Sequence, residues 1–466
     1  IIGRSAGQAI TTGAYNAALG SSALYTLSTG TGNVGIGNGA GYKMTGGGGV
    51  FIGYEAGYNI ASADTVMIGY QAGKRLTGNG NVAMGYTALY GASATAANNT
   101  GTNNTAIGNN ALKWISKTIG STAVGNNAGY YTTGSYNTFM GFGAGHGGIT
   151  SAPYSSGIEN TALGYNALTG FTTAYYCVAI GNKAGDSITT GDRNTIVGHD
   201  AGSSLTSGRL NTVLGTDALN TMTIGSRNVA IGNDALTAAV EDDYNVAIGY
   251  EALHDQNAGG SDGTSTATNN TMVGYQAGDT ITTGKQNTGF GSGVAFDIDA
   301  NNQTAIGYGA TTDSANDIAI GNTSVDEVKG QVDFTTFSDK RIKRDIKDGD
   351  LGLDFINDLK PRKFKKVNPA KYPDSIRKKN DGIDSDGNEF EWTDAQANKV
   401  WDGLIAQEVK EAMDKAGTSY SGWNIEKNSK ESVTYSTLVT PLIKAVQELT
   451  EMVKSQQKEI EELKKK

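Results

Sequence analysis

The stretch Asn104-Thr-Ala-Ile-Gly-Asn-Asn-Ala-Leu112 carries the pattern that decides the fold of this chain. Close copies are Asn194-Thr-Ile-Val-Gly-His-Asp-Ala-Gly202 and Asn245-Val-Ala-Ile-Gly-Tyr-Glu-Ala-Leu253. A period this short and regular indicates a repeat architecture. The glycine after the aliphatic residue returns nineteen times, mostly at steps of 16 or 17 residues, at positions 3, 20, 37, 53, 69, 85, 108, 125, 141, 164, 181, 198, 215, 232, 249, 274, 291, 307 and 321.

Each copy is too short for a pair of helices and has the chemistry of a strand followed by a turn. Alternation along the strand sends Thr105 and Ile107 to one face and Ala106 to the other. Because one unit cannot bury its apolar face alone, neighbouring coils must stack. We therefore predict that residues 1–330 form a mainly β fibre, a parallel β-solenoid or β-roll about 90 Å long. A disordered low-complexity linker is the alternative, but a linker would not hold the aliphatic–Gly pair in register.

Charge and glycine divide the chain near residue 330. Of the 66 glycines 59 precede residue 331, whereas residues 331–466 hold 25 of the 37 Lys and Arg and 25 of the 46 Asp and Glu. Residues 1–330 therefore carry the whole net charge of −9. An acidic chain without a basic stripe argues against nucleic-acid binding, and no apolar run approaches the roughly 18 residues of a membrane span. One cysteine, Cys177, and three scattered histidines predict no disulfide framework, metal site or cofactor.

The repeated Asn-x-Ala-Ile-Gly phrase resembles the heads of trimeric autotransporter adhesins and the repeats of many phage tail fibres. This resemblance implies a fibrous head or shaft that assembles as a homotrimer. The chain opens Ile1-Ile2-Gly3, without an initiator Met or a signal peptide. We therefore expect it to be the end of a longer product, whose missing N-terminal part contacts other virion tail proteins.

Three steps between repeats are longer, and insertions in a solenoid leave as surface loops. They carry Tyr90, His146 with Tyr154, and His254, which are our candidate receptor-binding residues. Tyr also follows the motif glycine in several copies, and exposed rings could stack on sugars. The simpler interpretation, that these rings cap the coil edges, is favoured for this second set: Tyr54, Tyr70, Tyr86, Tyr165, Tyr250, Tyr275 and Tyr308.

Residues 331–466 differ in composition from the repeats and contain three of the four tryptophans. Their sequence predicts a small α+β domain that ends in a long helix from about Thr437. The helix has a heptad pattern typical of a coiled coil. β-Branched residues at a and Leu at d favour two strands in isolation, and a helix packed on its own domain is the alternative. The a positions are Val439, Val446, Val453 and Ile460, and the d positions are Leu442, Leu449, Gln456 and Leu463.

Residues 334–454 resemble the intramolecular chaperone and auto-processing domain of phage endosialidases, tailspikes and tail fibres. That family's domain trimerises, assists the folding of the β fibre before it, and then cuts itself off. The phrases that carry the resemblance are Phe337-Ser-Asp-Lys-Arg-Ile-Lys-Arg-Asp-Ile346, Leu353-Asp-Phe-Ile-Asn-Asp-Leu-Lys-Pro-Arg-Lys-Phe-Lys365, Gly403-Leu-Ile-Ala-Gln-Glu-Val409 and Val433-Thr-Tyr-Ser-Thr-Leu-Val-Thr-Pro-Leu442.

The resemblance implies a Ser-Lys dyad, with Ser338 as the nucleophile, Lys343 as the general base and Phe337–Ser338 as the scissile bond. A lysine acts as a base only if its pKa falls well below ~10.4. The like charges of Arg341 and Arg344 would lower that pKa, and the acids beside them would raise it. A spacing of five does not place the two side chains on one helical face, so we expect tertiary structure to join them.

Together these features predict a phage tail fibre or adhesin, located in the virion, that binds a host-surface glycan or protein receptor. Its C-terminal domain would be a serine endopeptidase that cleaves itself in cis only. The alternatives are a tailspike enzyme that degrades surface polysaccharide and a bacterial surface adhesin. A glycosidase needs a pair of placed carboxylates. The one dense acidic cluster, Glu241–Asp243, is expected in a turn between copies, so the binding fibre is favoured.

Overall fold

The computed structural model describes residues 1–61, 64–92, 99–151, 154–258, 266–325, 327–329, 331, 338–377, 389, 391–425 and 430–465. The chain forms two compact units, Ile1–Ile320 and Gly321–Lys466. Within these described ranges, no helix is both long enough and apolar enough to cross a membrane.

The first unit is a parallel β-solenoid, as the repeat predicts. Eighteen three-residue strands form one sheet, and each strand pairs in register with the strand of the next coil. A bridge from Ile2 to Leu19 continues the ladder into the first copy. The strands are Ala17–Leu19, Val34–Ile36, Val50–Ile52, Val66–Ile68, Val82–Met84, Thr105–Ile107, Thr122–Val124, Thr138–Met140, Thr161–Leu163, Val178–Ile180, Thr195–Val197, Thr212–Leu214, Val229–Ile231, Val246–Ile248, Thr271–Val273, Thr288–Phe290, Thr304–Ile306 and Ile318–Ile320.

The motif glycine is required by the close approach of successive coils. Gly198 has φ +146°, a conformation that L side chains rarely adopt. A Cβ built there would lie 2.1 Å from the carbonyl oxygen of Gly215, the same residue of the next coil. Motif glycines from Gly3 to Gly291 stand in the same relation to their successors. Glycine therefore recurs because any side chain would push the coils apart.

The residue at the centre of each strand faces the interior, and in most copies it is Ala or Gly. Ala106 is fully buried, whereas Ile107 is 38% exposed and Thr105 is half-buried. The predicted alternation is therefore present, with the small-residue face inside. The outward first and third strand positions form what we call the aliphatic stripe, a row of Val or Thr beside larger apolar residues. Its most exposed third-position members are Leu19, Ile36, Met84, Ile107, Met140, Leu163, Leu214, Phe290, Ile306 and Ile320.

In many copies the choice between Ala-Gly and Ala-Leu in the motif follows the size of the strand centre. Where the strand centre is the large Phe139, the residue after the motif alanine is Gly145, whose Cβ would lie 2.2 Å from the Phe139 ring. Where the strand centre is Ala106, Leu112 occupies that position and is fully buried. Large and small residues thus exchange places while the interior stays filled.

The second unit is a small α+β domain. Its helices are α1 (Leu353–Asp358), α2 (Asp394–Asn398), α3 (Ala406–Ala416) and α4 (Val439–Lys464), with short 3-10 turns at Lys340–Ile342, Pro369–Lys371 and Tyr435–Leu438. Two antiparallel ribbons complete it, Arg362–Lys365 with Val400–Gly403 and Trp423–Ile425 with Glu431–Val433. The core joins α1 and α3 through Leu351, Phe355, Val409, Ala412, Met413 and Tyr420.

Helix α4 packs on this domain through one face at its N-terminal end. Pro441 and Ala445 are its buried residues, and the Glu448 carboxylate accepts a hydrogen bond of 2.7 Å from the backbone N–H of Leu353. The heptad residues lie elsewhere on the helix and are open to solvent in the single chain. Val446 is 61% exposed and Leu449 is 50% exposed. The domain therefore does not cover the apolar seam.

Candidate functional site

Ser338 and Lys343 lie together at the start of the C-terminal domain. The Lys343 Nζ atom donates a hydrogen bond of 2.6 Å to Ser338 Oγ. Both side chains are exposed in the single chain. Phe337, the other residue of the predicted scissile bond, lies outside the described residues. A hydroxyl and an amine at this distance have the geometry that a nucleophile and its general base require.

The contact is made by local structure, where we expected tertiary structure to make it. Asp339 caps the 3-10 turn Lys340–Ile342, and its carboxylate accepts a 2.8 Å hydrogen bond from the Arg341 backbone N–H. This single turn reverses the chain enough for positions 338 and 343 to meet. The prediction considered only helical faces. It did not consider a single 3-10 turn, Lys340–Ile342, with the serine before it and the lysine directly after it.

Two of the charges around the dyad are paired with each other. The Arg341 guanidinium lies 2.6 Å from the Asp339 carboxylate, and this pairing lowers the pKa of Asp339 and raises the pKa of Arg341. Arg344 lies 3.9 Å from Asp345. Both arginines near Lys343 in the sequence are therefore ion-paired with a neighbouring aspartate.

A second group of candidate side chains lies on the solenoid, where Tyr90 and Tyr154, one from each of the first two insertions, both contact Trp114. Three candidate receptor residues, Tyr90, His146 and Tyr154, belong to it. Three further rings join them at centroid distances between 4.4 and 6.5 Å. We call the set the aromatic cluster: Tyr90, Trp114, Tyr130, Tyr131, His146 and Tyr154.

The tryptophan is the centre of this cluster. Its ring centroid lies 6.2 Å from Tyr90, 6.5 Å from Tyr130 and 5.9 Å from Tyr154. Sequence reasoning missed Trp114, Tyr130 and Tyr131 because they are not in the insertions. The signal was available, since they stand five or six residues after motif glycines of neighbouring copies.

His146 acts in the cluster as a neutral ring. It stacks on Tyr130 at 5.3 Å with an interplanar angle of 5°. Burial lowers the pKa of His146 because desolvation disfavours the charged form. The imidazole is therefore an additional aromatic surface at neutral pH.

His254, the fourth candidate receptor residue, lies several coils further along and outside the aromatic cluster. Its Nδ1 atom lies 2.7 Å from the Asp255 carboxylate.

His199, a histidine that the sequence did not single out, lies beside two aspartates in the structure. Donor atoms of His199, Asp200 and Asp217 lie within 4.8 Å of one another, and His199 Nδ1 is 3.2 Å from Asp200. Coil stacking therefore brings together residues that had no metal-ligand spacing in the chain.

We expected the acidic cluster Glu241–Asp243 to lie in a turn between copies, and this prediction is wrong. Asp242–Asp243 form a short strand that pairs in parallel with Thr266–Ala267, which belongs to the longest insertion. Glu241, Asp242 and Asp243 are only 7%, 0% and 8% exposed. Carboxylates buried in the coil wall are closed to a polysaccharide chain, so this cluster offers no glycosidase site.

Comparison with known proteins concerns the C-terminal unit. Residues 338–418 match the model of a peptidase family described as the chaperone of endosialidase. The matched region begins at Ser338, contains Lys343 and extends through α1, α2 and α3. No curated protein matches the chain.

Proposed function

We propose that this protein is a phage tail fibre for attachment to the host surface. The proposal starts from a chain in which an endosialidase-type chaperone domain follows a β-solenoid. Its C-terminal domain directs trimeric folding and is then released by cleavage at Phe337–Ser338. The observation that carries the proposal is the 2.6 Å contact between Lys343 Nζ and Ser338 Oγ. In the sequence, Ser338 is the first residue of the family match and follows the end of the solenoid unit.

The cleavage reaction uses Ser338 as its nucleophile. Neutral Lys343 accepts the hydroxyl proton as Ser338 Oγ adds to the carbonyl carbon of Phe337. The C–N bond to Ser338 breaks, and the proton on Lys343 passes to the departing amine. Water then hydrolyses the ester, which leaves a carboxylate on Phe337 and a free amino group on Ser338. Because nucleophile and scissile bond belong to adjacent residues, the reaction proceeds in cis.

Trimer formation is supported by two apolar surfaces that the single chain leaves open. The aliphatic stripe runs along the outer face of the solenoid sheet, with Leu214 and Ile320 each 49% exposed. A continuous exposed apolar patch of this kind is typical of a protein interface. Since each coil repeats the same surface, copies of the chain in register bury the stripe along the whole solenoid.

The second open surface is the heptad seam of α4. Its residues recur every 3.5 positions, and helices with this pattern wind around one another to bury the seam. A groove of about 670 Å³ beside the helix is lined by apolar residues that include Ile356, Leu404 and Leu438. The d residue Leu442 lines the same groove, so the seam and the domain surface are continuous.

Expression of the full chain with both dyad variants tests the cleavage. The wild type is expected to give two fragments on a denaturing gel, with mass spectrometry placing the ends at Phe337 and Ser338. Ser338→Ala and Lys343→Met should remain uncut, whereas Lys347→Met, a neighbouring lysine outside the dyad, should be cut. A first-order rate that does not change on dilution would support cis action. Cleavage of the Ser338→Ala variant at the same bond would refute the dyad.

Attachment is tested by mixing the purified fibre with host-envelope glycans. Retention without shortening of the glycan chains is the expected result. Shortening would favour the polysaccharide-degrading tailspike, for which the buried cluster Glu241–Asp243 gives no support.

A further inference from the structure

A column of side chains runs along the solenoid at the residue two positions after the motif glycine. Between Glu55 and Gln276 these side chains all leave a backbone with φ between +49° and +59°. Backbone hydrogen bonds set neighbouring coils beside each other here, since the Asp217 N–H donates to the His199 carbonyl of the preceding coil at 3.0 Å. We call this set the polar column: Glu55, Gln71, Thr87, Asn110, Asn127, Asn166, Lys183, Asp200, Asp217, Asp234, Glu251 and Gln276.

Several neighbours in the polar column pair a hydrogen-bond donor with an acceptor. Gln71 Nε2 donates to the Glu55 carboxylate at 2.8 Å, and Gln276 Nε2 donates to the Glu251 carboxylate at 2.7 Å. The bond from Gln276 lowers the pKa of Glu251 because it favours the charged form. Each of these glutamates therefore has an amide of the next coil as its partner.

Three successive members of the column have no such alternation, since Asp200, Asp217 and Asp234 are all carboxylates. Neighbouring coils are about 4.8 Å apart, and like charges that face each other across neighbouring strands are destabilising. In the part of the chain that the structure describes, no Lys or Arg nitrogen lies within 4.0 Å of these three carboxylates. The column therefore concentrates negative charge here without a basic side chain to neutralise it.

A histidine adds a nitrogen donor to these carboxylates. Donor atoms of His199, Asp200 and Asp217 lie within 4.8 Å of one another, and His199 Nδ1 is 3.2 Å from Asp200 Oδ2. His199 is exposed and the two aspartates are half-buried, so the three side chains can rotate without disturbing the core. One imidazole nitrogen and two carboxylate oxygens are a donor set that suits divalent transition metals.

A buried oxygen beside these residues lacks a hydrogen-bond donor. Asn220 Nδ2 lies 3.5 Å from Asp217 Oδ1, but Asn220 Oδ1 is buried and has no hydrogen-bond partner among the described residues. Asp186 Oδ1, at the equivalent position two coils earlier, is in the same situation. A buried acceptor that is left unpaired is costly. Water molecules held by a metal ion would donate hydrogen bonds to such oxygens.

We infer that His199, Asp200 and Asp217 form a binding site for a divalent transition-metal ion such as Zn²⁺. Zn²⁺ takes histidine nitrogen and carboxylate oxygen at about 2.0–2.2 Å, so the three donors close around the ion by side-chain rotation. Ca²⁺ and Mg²⁺ take oxygen ligands and gain nothing from the imidazole. Because Asp200 and Asp217 belong to successive coils, the bound ion links the two coils and offsets their adjacent negative charges.

The spacing of the histidines in the sequence predicted no metal site. The three donors meet because coil stacking places Asp217 beside His199 and Asp200. The role of the site is structural, and it is independent of attachment and cleavage, because the donors come together only in the folded solenoid.

Calorimetric titration of the metal-free full chain with Zn²⁺ tests the site. The wild type should bind Zn²⁺, and His199→Ala and Asp217→Asn should each weaken binding about 10-fold or more, since even outer-shell partners contribute that much. His254→Ala and Asp255→Asn are matched controls. His254 Nδ1 lies 2.7 Å from Asp255, in a pair that belongs to no larger donor group among the described residues. Both controls should bind Zn²⁺ as the wild type does, and circular dichroism should show the same fold for all variants.

Chemical denaturation with and without the metal measures the structural role. In EDTA, Asp217→Asn should raise the midpoint of solenoid unfolding above that of the wild type, because it removes one of the facing charges. In excess Zn²⁺ the order should reverse, because the wild type gains stability from a ligand that binds the folded state. A role of Asp217 in packing alone predicts the same order in both conditions.

Each part of the assignment can fail separately. The site would be overturned if the wild type bound no Zn²⁺, or if His199→Ala and Asp217→Asn both left binding unchanged. The same order of midpoints in EDTA and in Zn²⁺ would refute the link between coils. Ca²⁺ binding as tight as Zn²⁺ binding would refute the role of the imidazole. An equal loss of binding in the control variants would show that Zn²⁺ binds adventitiously.

Discussion

At the scale of single residues, buried asparagines hold successive coils together. The Asn211 backbone N–H donates to Asn194 Oδ1 at 3.0 Å, and its side-chain amide donates to the Gly225 carbonyl at 2.9 Å. Its own Oδ1 accepts from the backbone N–H of Asn228 at 2.9 Å. These bonds satisfy polar groups that have no access to water. Asparagine at the head of the motif therefore stabilises the stacking of the coils.

Replacing one of these asparagines should destabilise the solenoid. Asn211→Ala leaves the Asn228 N–H and the Gly225 carbonyl buried without their partner, at a cost of about 1–3 kcal/mol each. Chemical denaturation of the isolated fibre should show this as a lower midpoint. Asn233→Ala, which removes an exposed asparagine near the next turn, should change the midpoint little. Equal losses in the two variants would contradict the role assigned to the ladder.

Cys177 stands where most copies have this asparagine, and it reports on folding. Its thiol is 1% exposed, and burial raises its pKa to about 11. The thiolate is the reactive form, so iodoacetamide at pH 8 should modify Cys177 only after unfolding. Because the folded pKa lies above the unfolded one, the contribution of Cys177 to stability should be constant below about pH 8.5 and should fall as pH rises toward 11. Cys177→Ala should remove that loss, and rapid alkylation of the native fibre would contradict the buried position.

At the scale of elements, α4 has one buried side and one open side. Its buried side holds it to α1, and its apolar seam is exposed in the single chain, where we propose that other copies bind. Val446→Asp and Leu449→Asp should therefore abolish the trimer while the domain stays folded, since both residues are at least half exposed in the single chain. Sedimentation velocity would measure the oligomeric state of each seam variant, made in the uncleavable Ser338→Ala protein. Ser455→Asp, at a c position away from the seam, is the control and should remain trimeric. A trimer that survives both seam variants would show that α4 is not the contact.

At the scale of the whole molecule, stacked parallel coils explain why a chaperone belongs on this chain. Each unfinished coil exposes a strand edge, and pairing along the stack gives few early contacts. A domain that holds three chain ends together raises their effective concentration and sets their register. Deleting residues 338–466 should therefore yield aggregated solenoid. The Ser338→Ala protein should give a soluble, uncut trimer. Size-exclusion chromatography compares the two, and a soluble trimer of residues 1–337 alone would refute the chaperone requirement.

The sequence by itself determined the solenoid, the spacing of its strands, and the α+β class and final helix of the C-terminal domain. A glycine such as Gly198 can be read directly, because its role repeats in every coil and the repeat makes it visible. Heptad positions such as Val446 are visible for the same reason.

Only the tertiary structure decided which face of each strand is inside, how Glu241–Asp243 is buried, and that Trp114 meets Tyr154. These facts depend on residues that are distant in the chain and become neighbours when coils stack. The contact between Ser338 and Lys343 is different, because one local turn creates it and no periodic pattern announces a single turn. Periodicity therefore reveals what is repeated along the chain, and coordinates are needed for what occurs once.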